Sequence, residues 1–595
     1  MTRSTAAVPQ LLTIGGLREL YKKGELTPAD VVAEIVSRAE SDAEMNIWIT
    51  PPSLEALRPY LERIASLDPE SLPLWGIPFA VKDNIDLAGI PTTAACPDYA
   101  YTPDHHAAVV ERLIAAGAIP LGKTNLDQFA TGLVGTRSPF GETHNSLRGE
   151  LISGGSSSGS AVSVARGHAA FALGTDTAGS GRVPAALNRL VGYKPSLGAW
   201  PTLGVVPACA SLDCVTVFAC ELEDAMRVDG VARGYHADDP WSRCLPNPAA
   251  GKNGPRKLLL PRDSIAFYGP FAEDYKAAWE AAVARLGRLN IPIEFVDCEP
   301  FEEAAALLYE GPWIAERWAA LGGFIGPHPG SALPVTERIL RSGNSAEHTA
   351  ASLFQAMHRL QALRLETRKR LDGAVLAMPT CGGTWTREQV RQNPVGTNRD
   401  MGRYTNHCNL LDLCAVAVPG NDAAPELPFG ITLFALAENE SYLWSAAESF
   451  LNAPPSPPTE TTLVAVCGLH MRGYPLEQQM REHGARFVRE DATAPRYRLY
   501  RLPTVPAKPG LIKQPGGGAS IELEVWEMPK AAFGAFAAAI PAPLGIGKVE
   551  LRDGSELPGF VCEAYAAAGS EDVTSFGGWR YVPEEAARSS GRTEP

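Results

Sequence analysis

The sequence predicts an α/β protein followed by a second, smaller domain. Three observations carry that reading. Strand-like and helix-like apolar segments alternate as far as about residue 450, which argues for a largely buried sheet with helices packed on it. A proline-rich run, Ala453-Pro454-Pro455-Ser456-Pro457-Pro458-Thr459, then interrupts the chain. Such runs are stiff, extended and unable to join a sheet, so a boundary is expected there. Beyond it the pattern changes to short alternating strands, as in an α+β domain with a barrel-like sheet. The expected division is 1–452, a linker at 453–460, and 461–595.

Bulk properties narrow the function classes. A chain of 595 residues exceeds what one hydrophobic core supports, and 45% apolar with 20% charged residues is an ordinary globular composition. The formal charge of −14 and the lack of a basic stripe argue against nucleic acid. They leave a small anionic substrate open, because a few local cations decide that. No apolar run reaches the roughly 18 residues of a membrane span. The most apolar stretch, Ala531–Ile546, is broken by Pro541 and Pro543. Met1–Ile14 lacks the pattern of a secretion signal. Eleven cysteines without a C-x-x-C pair suggest reduced, mostly buried thiols in the cytoplasm. No H-E-x-x-H is present, and neither a metal nor a cofactor is expected. The polar tail after Glu584 is expected to be disordered.

The elements follow in order. Thr27-Pro28-Ala29-Asp30 opens a helix: Thr27 caps it, Pro28 suits the first turn and Asp30 faces the helix N-terminus. Val31, Val32, Ile35 and Val36 then continue an amphipathic period to about Ala39. Leu74–Lys82 reads as a turn and a short buried strand ending on Lys82. Val109–Ala116 reads as a helix and Ile119–Gly122 as a strand. Two small-residue loops, Gly154–Ser160 and Gly174–Gly181, flank an apolar-periodic segment, Ala161–Leu173, read as helical. Ala374–Pro379 and Leu413–Pro419 are strands, separated from the earlier ones by a helix-rich insert at about 267–370. In the second domain Thr461–Gly468, Tyr497–Leu502 and Ile521–Glu527 are strands. Lys548–Leu551 and Gly559–Cys562 form a hairpin about Asp553-Gly554.

The two loops carry the chemistry. Glycine lets a backbone approach a ligand closely, and consecutive unhindered N–H groups suit an anion or a developing oxyanion. The pair Gly154-Gly155-Ser156-Ser157 and Gly174-Thr175-Asp176-Thr177-Ala178-Gly179-Ser180, with Ala80-Val81-Lys82-Asp83 upstream, resembles the amidase signature family of serine hydrolases. The two serines also stand at the family's spacing. Gly-x-Ser-x-Gly does not describe the Ser180 site, which disfavours an α/β-hydrolase. The resemblance implies a mixed sheet covered by helices on both faces, with Ser180 as nucleophile, Ser156 as bridging serine and Lys82 as base. It also implies a cis peptide before Ser156. The N–H groups of Thr177, Ala178, Gly179 and Ser180 become the oxyanion hole, and Ala130–Ser138 lines the substrate site. A serine hydroxyl is a poor nucleophile at neutral pH, and a lysine takes its proton only when burial or nearby cations keep that lysine neutral.

The stretch Ala178-Gly179-Ser180-Gly181-Arg182-Val183-Pro184 departs from the Gly-Gly-Ser-Ile-Arg run of most relatives. Together with Tyr309, Arg317 and the second domain, it resembles the allophanate-hydrolysing branch of the family. The C-terminal domain of that branch is related to the γ-glutamylcyclotransferase group. The branch's substrate is a carboxylated urea, a small planar anion. Arg317 would bind its carboxylate through two parallel hydrogen bonds, with Tyr309 as a second donor. Their spacing of eight residues is about two helical turns, so both can lie on one helix face.

Amide hydrolysis would leave N-carboxycarbamate, and His470, at a strand end, would donate the proton its decarboxylation needs, with Lys513 pairing the dianion. The alternative is hydrolysis of another small amide, the second domain serving only for interaction or dimerisation. The amidase component of a tRNA-dependent amidotransferase is disfavoured by that extra domain and by the lack of a basic patch. The resemblance implies a homodimer acting with a separate urea carboxylase. A carboxylase on this chain is not expected at this length, without ATP-binding or biotin-attachment segments.

Overall fold

Local signals set the helix that follows Thr27 as expected. In the computed structural model, which describes residues 6–248, 254–263, 265–309, 311–454 and 461–583, the helix Pro28–Ser41 is capped by Thr27. The Thr27 hydroxyl accepts the Asp30 N–H, and the Asp30 carboxylate accepts the Thr27 N–H, a reciprocal box that satisfies two otherwise unpaired donors. Val31, Val32, Ile35 and Ala39 are its buried stripe.

The chain divides into two compact units, Met1–Pro455 and Ser456–Pro595. In the first, the described residues build one mixed sheet of eleven strands. Pro78–Lys82 and Phe171–Thr175 lie side by side and parallel, with Val81 opposite Leu173. Val215–Ala219 pairs antiparallel with Phe171–Thr175, and Val191–Lys194 with Val215–Ala219. Further along, Leu413–Pro419, Gly430–Leu436 and Ala374–Pro379 continue antiparallel. Every residue of Ala374–Pro379 is buried, yet its side chains divide between two cores. Val375 and Ala377 join one cluster; Ala374, Leu376 and Met378 join the other. A two-residue period buried on both sides means that both faces of the sheet are covered.

Sequence reading and structure part at Ala161–Leu173. The helix spans only Ser158–Ala165, and Phe171–Thr175 is a strand. The chain leaves the helix at Arg166 and turns at Gly167, which has φ of +69° and lies so close to Gln10 O that a Cβ would stand 1.9 Å from it. The insert is helix-rich as expected: Ala272–Leu286, Glu299–Tyr309, Ile314–Ile325, Pro334–Ser342 and Ala350–Arg370.

In the second unit, Arg486–Ala492, Glu522–Pro529, Thr461–Val466, Glu556–Cys562 and Leu544–Glu550 form a five-stranded sheet in that order. Lys508–Lys513, Tyr497–Leu502 and Glu571–Asp572 form a three-stranded one. Leu544–Glu550 and Glu556–Cys562 are the expected hairpin. With the helices Glu477–Glu482 and Lys530–Ala538 this is an α+β unit, its strands lying in two sheets with no closed barrel among the described residues. Residues 455–460 of the proline-rich run and the tail after Glu584 lie outside the described residues.

Candidate active site

Two parallel strands end side by side, and their ends bring the first chemical groups together. Lys82 closes Pro78–Lys82, and Thr175 closes Phe171–Thr175. Lys82 is fully buried. Its Nζ stands 2.7 Å from Ser156 Oγ and 2.7 Å from Thr175 Oγ1, and Asn84 Nδ2 adds a contact of 3.3 Å to the same Thr175 oxygen. Burial pushes the Lys82 ammonium down to about 7, against the opposing pull of Asp127, Asp176 and Asp213. An amine of that pKa is substantially neutral at physiological pH, so its lone pair can take a proton.

Ser156 follows a cis Gly155–Ser156 peptide bond. Its carbonyl accepts the Asp127 N–H at 3.0 Å. The Asp127 carboxylate in turn gathers the N–H groups of Val134, Gly135 and Arg137. Ser157 ties the two loops together, donating its hydroxyl to Thr175 O at 3.1 Å and accepting the Thr175 N–H at 3.2 Å. A side chain on Gly155 would meet Asp127 Oδ2 at 2.1 Å, so only glycine fits there.

The second loop is held open by its own acid. Asp176 accepts the Gly181 N–H at 3.0 Å and a two-pronged contact from Arg182 at 2.9 Å on each oxygen, all fully buried. Asn409 Nδ2 donates to Asp176 O. Thr177 Oγ1 donates to Asp213 Oδ1 at 2.6 Å, while Asp213 also accepts from Ala208 N and Cys209 N. Between these anchors the N–H groups of Thr177, Ala178, Gly179 and Ser180 donate to no protein acceptor among the described residues. Four consecutive buried N–H groups without partners form a cradle for negative charge.

Ser180 is buried at the end of that cradle. Its hydroxyl donates over 3.5 Å to Gly132 O, and no hydrogen bond joins it to Ser156. The structure therefore joins Lys82 to Ser156 directly and leaves Ser180 turned toward the 130–138 segment. Thr131, Gly132 and Arg137 of that segment line a cavity of about 480 Å³, completed by Asn398, Arg399 and Arg403 among others. Arg317 is buried next to it, its Nη1 donating to Thr131 Oγ1 at 3.0 Å.

Tyr309 and Arg317 do not share a helix. The helix Glu299–Tyr309 ends on the tyrosine and the next begins at Ile314, with Gly311-Pro312 between. Proline has no N–H and cannot continue the first helix, so two turns of spacing do not translate into one face. The Tyr309 side chain lies outside the described residues.

In the second unit His470 lines a separate cavity of about 480 Å³ with His483, Lys508, Gln479, Phe536 and Phe560. Its Nε2 lies 3.1 Å from Gln479 Oε1, and its ring stacks on Phe560 at 4.9 Å. Burial, with Lys508 and His483 adding to it, holds its pKa below the ordinary histidine value. Lys513 does not join it. Its Nζ is paired with Glu550 at 2.9 Å and Glu556 at 3.5 Å, so the expected contact with a dianion is replaced by Lys508 as the lysine at this cavity.

Sequence reasoning misses Thr175 and Asp213. Thr175 carries one signal, a hydroxyl residue just after an apolar run and inside the second loop. Asp213 carries none, since it meets Thr177 across 36 residues of chain.

The family profile described as Amidase matches residues 30–443, and the one described as Allophanate hydrolase C-terminal domain matches 462–583. The crystal structure of Kluyveromyces lactis allophanate hydrolase, 38% identical, superposes with a TM-score of 0.69 over 96% of this chain and 99% of that one. Urea amidolyase of Saccharomyces cerevisiae is 42% identical over 572 residues, 90% of this chain but 31% of that protein. Urea amidolyase of Lachancea kluyveri is 41% identical over 551 residues, 86% of this chain and 30% of that protein. The chain thus spans less than a third of the length of these two relatives.

Proposed function

From the premise that this chain belongs to the amidase family, we propose that it hydrolyses allophanate, with Ser180, Ser156 and Lys82 as the catalytic trio. The observation that carries the trio is the 2.7 Å contact between a fully buried Lys82, its pKa near 7, and Ser156. Catalysis by the trio requires the Ser180 hydroxyl to leave Gly132 O and meet Ser156. Ser180 then attacks the amide carbonyl, Ser156 passes its proton to Lys82, and the oxyanion settles among the N–H groups of Thr177, Ala178 and Gly179. The proton returns through Ser156 to the leaving nitrogen and ammonia departs. Water, activated by the same pair, cleaves the Ser180 ester and releases N-carboxycarbamate.

Allophanate as the substrate is supported by the buried Arg317 beside the cavity and by the full-length match to Kluyveromyces lactis allophanate hydrolase. Arg317 pairs the carboxylate, with Tyr309 as a second donor. In the second domain His470 supplies the proton as N-carboxycarbamate loses carbon dioxide to give carbamate, which breaks down to ammonia and a second carbon dioxide. The mostly apolar cavity around His470 favours charge loss, because it solvates a dianion poorly. A second reading of that domain is an interaction module, favoured by the hydrogen bond and ring stacking that already satisfy His470. Domain limits of 1–452 and 461–595, a cytoplasmic homodimer, and a place in urea degradation downstream of a separate urea carboxylase complete the reading. Ammonia release from allophanate compared with malonamide, glutamine and fatty amides tests it. Preference for allophanate supports it, and preference for any neutral amide refutes it.

A further inference from the structure

The first-domain cavity carries a charge pattern opposite to that of the chain. The protein's formal charge is −14, so at long range it repels an anion. The cavity beside Gly132, however, is lined by Arg137, Arg399 and Arg403 against the single carboxylate of Glu302. Arg137 is buried and donates to the carbonyls Thr131 O and Pro394 O, which hold it in the wall. Arg399 and Arg403 stand four residues apart along the Gly396–Gly402 helix and its C-cap, both exposed. Neither forms a salt bridge with a carboxylate among the described residues. Asp400, between them in sequence, has its pKa raised by burial, against the downward pull of the Arg403 and Arg399 guanidinium groups.

We propose that Arg399 and Arg403 form an anion-collecting vestibule that concentrates an anionic amide at the mouth of the cavity before Arg317 binds it. The proposal rests on the anionic substrate of the preceding section and adds residues to it. Clefts lined by one sign of charge raise the local concentration of the opposite ion, and the effect fades with salt. The vestibule therefore acts on capture and leaves the chemical step alone.

The test uses the full chain with both arginines changed to glutamine, and separately both to lysine, assayed on allophanate and on neutral malonamide at low and high ionic strength. For Arg399→Gln/Arg403→Gln, kcat/KM on allophanate should fall about 10-fold at low salt, with kcat unchanged and the gap closing at high salt. Turnover of malonamide should not move, and the lysine pair should retain most of the wild-type value. Equal losses on both amides, a loss independent of salt, no loss, or a lysine pair as impaired as the glutamine pair would overturn the vestibule. A wild-type enzyme that does not turn over allophanate sinks the substrate assignment itself, a different outcome from a wild type that prefers allophanate beside an unaffected variant.

Discussion

Lys82 Nζ lies 2.7 Å from Ser156 Oγ, with both side chains fully buried. That contact fixes the direction of proton flow only if the lysine is neutral. With its pKa near 7, kcat/KM should rise about tenfold per pH unit below 7 and level off above it. Initial-rate ammonia assays across pH check this. A flat profile through pH 7 would mean that Lys82 is not the titrating base. Lys82→Ala should lose roughly 10²–10⁴-fold in rate.

Gly179 tests the oxyanion cradle. Its φ of +144° and the 2.3 Å that would separate an added Cβ from Thr405 Oγ1 leave no room for alanine. Gly179→Ala should displace the cradle and lower kcat about 10²–10³-fold, the usual effect of losing one oxyanion donor. Circular dichroism should show the fold retained. An active Gly179→Ala enzyme would remove the loop from the mechanism.

Arg317 separates substrate recognition from chemistry. Loss of a charge-assisted contact costs on the order of 1.5–3 kcal/mol, about one to two decades in kcat/KM. Arg317→Gln should lose that much on allophanate and far less on malonamide. Comparable losses on both would make Arg317 a packing residue whose job is its bond to Thr131.

The two proposed steps should respond to pH in opposite directions. Burial lowers the His470 pKa from the ordinary 6.5, so its protonated form gains population only as pH falls below that value. The first step needs neutral Lys82 and gains as pH rises toward 7. N-carboxycarbamate should therefore accumulate at alkaline pH, and His470→Ala should accumulate it at every pH. Carbon-13 spectroscopy of the reaction mixture reads the intermediate. Full conversion to two ammonia and two carbon dioxide by His470→Ala at the wild-type rate would favour the interaction-module reading.

Local signals are legible where chemistry and sequence neighbours coincide. The Thr27–Asp30 box needs only a three-residue spacing, and the strand ending on Lys82 is a short apolar run behind a turn. The segment after Ser160 reads as one long helix because periodicity cannot tell a buried helix from a buried strand over a few residues, yet Phe171–Leu173 belongs to the sheet. An eight-residue spacing puts Tyr309 and Arg317 on one helix only if the helix runs through Gly311-Pro312, and it does not. Thr175 meets Lys82 only through the parallel register of two strands 93 residues apart in sequence, and no local pattern encodes that.

In the proposed reaction Ser180 attacks the amide of allophanate, and ammonia release by Ser180→Ala reads that step. The hydroxyl makes one long contact, to Gly132 O, so its removal should leave the fold and thermal midpoint unchanged. This variant, matched in concentration to the wild type, should release ammonia from allophanate at least about 10³-fold more slowly. Release at a rate comparable to wild type would contradict the proposed attack.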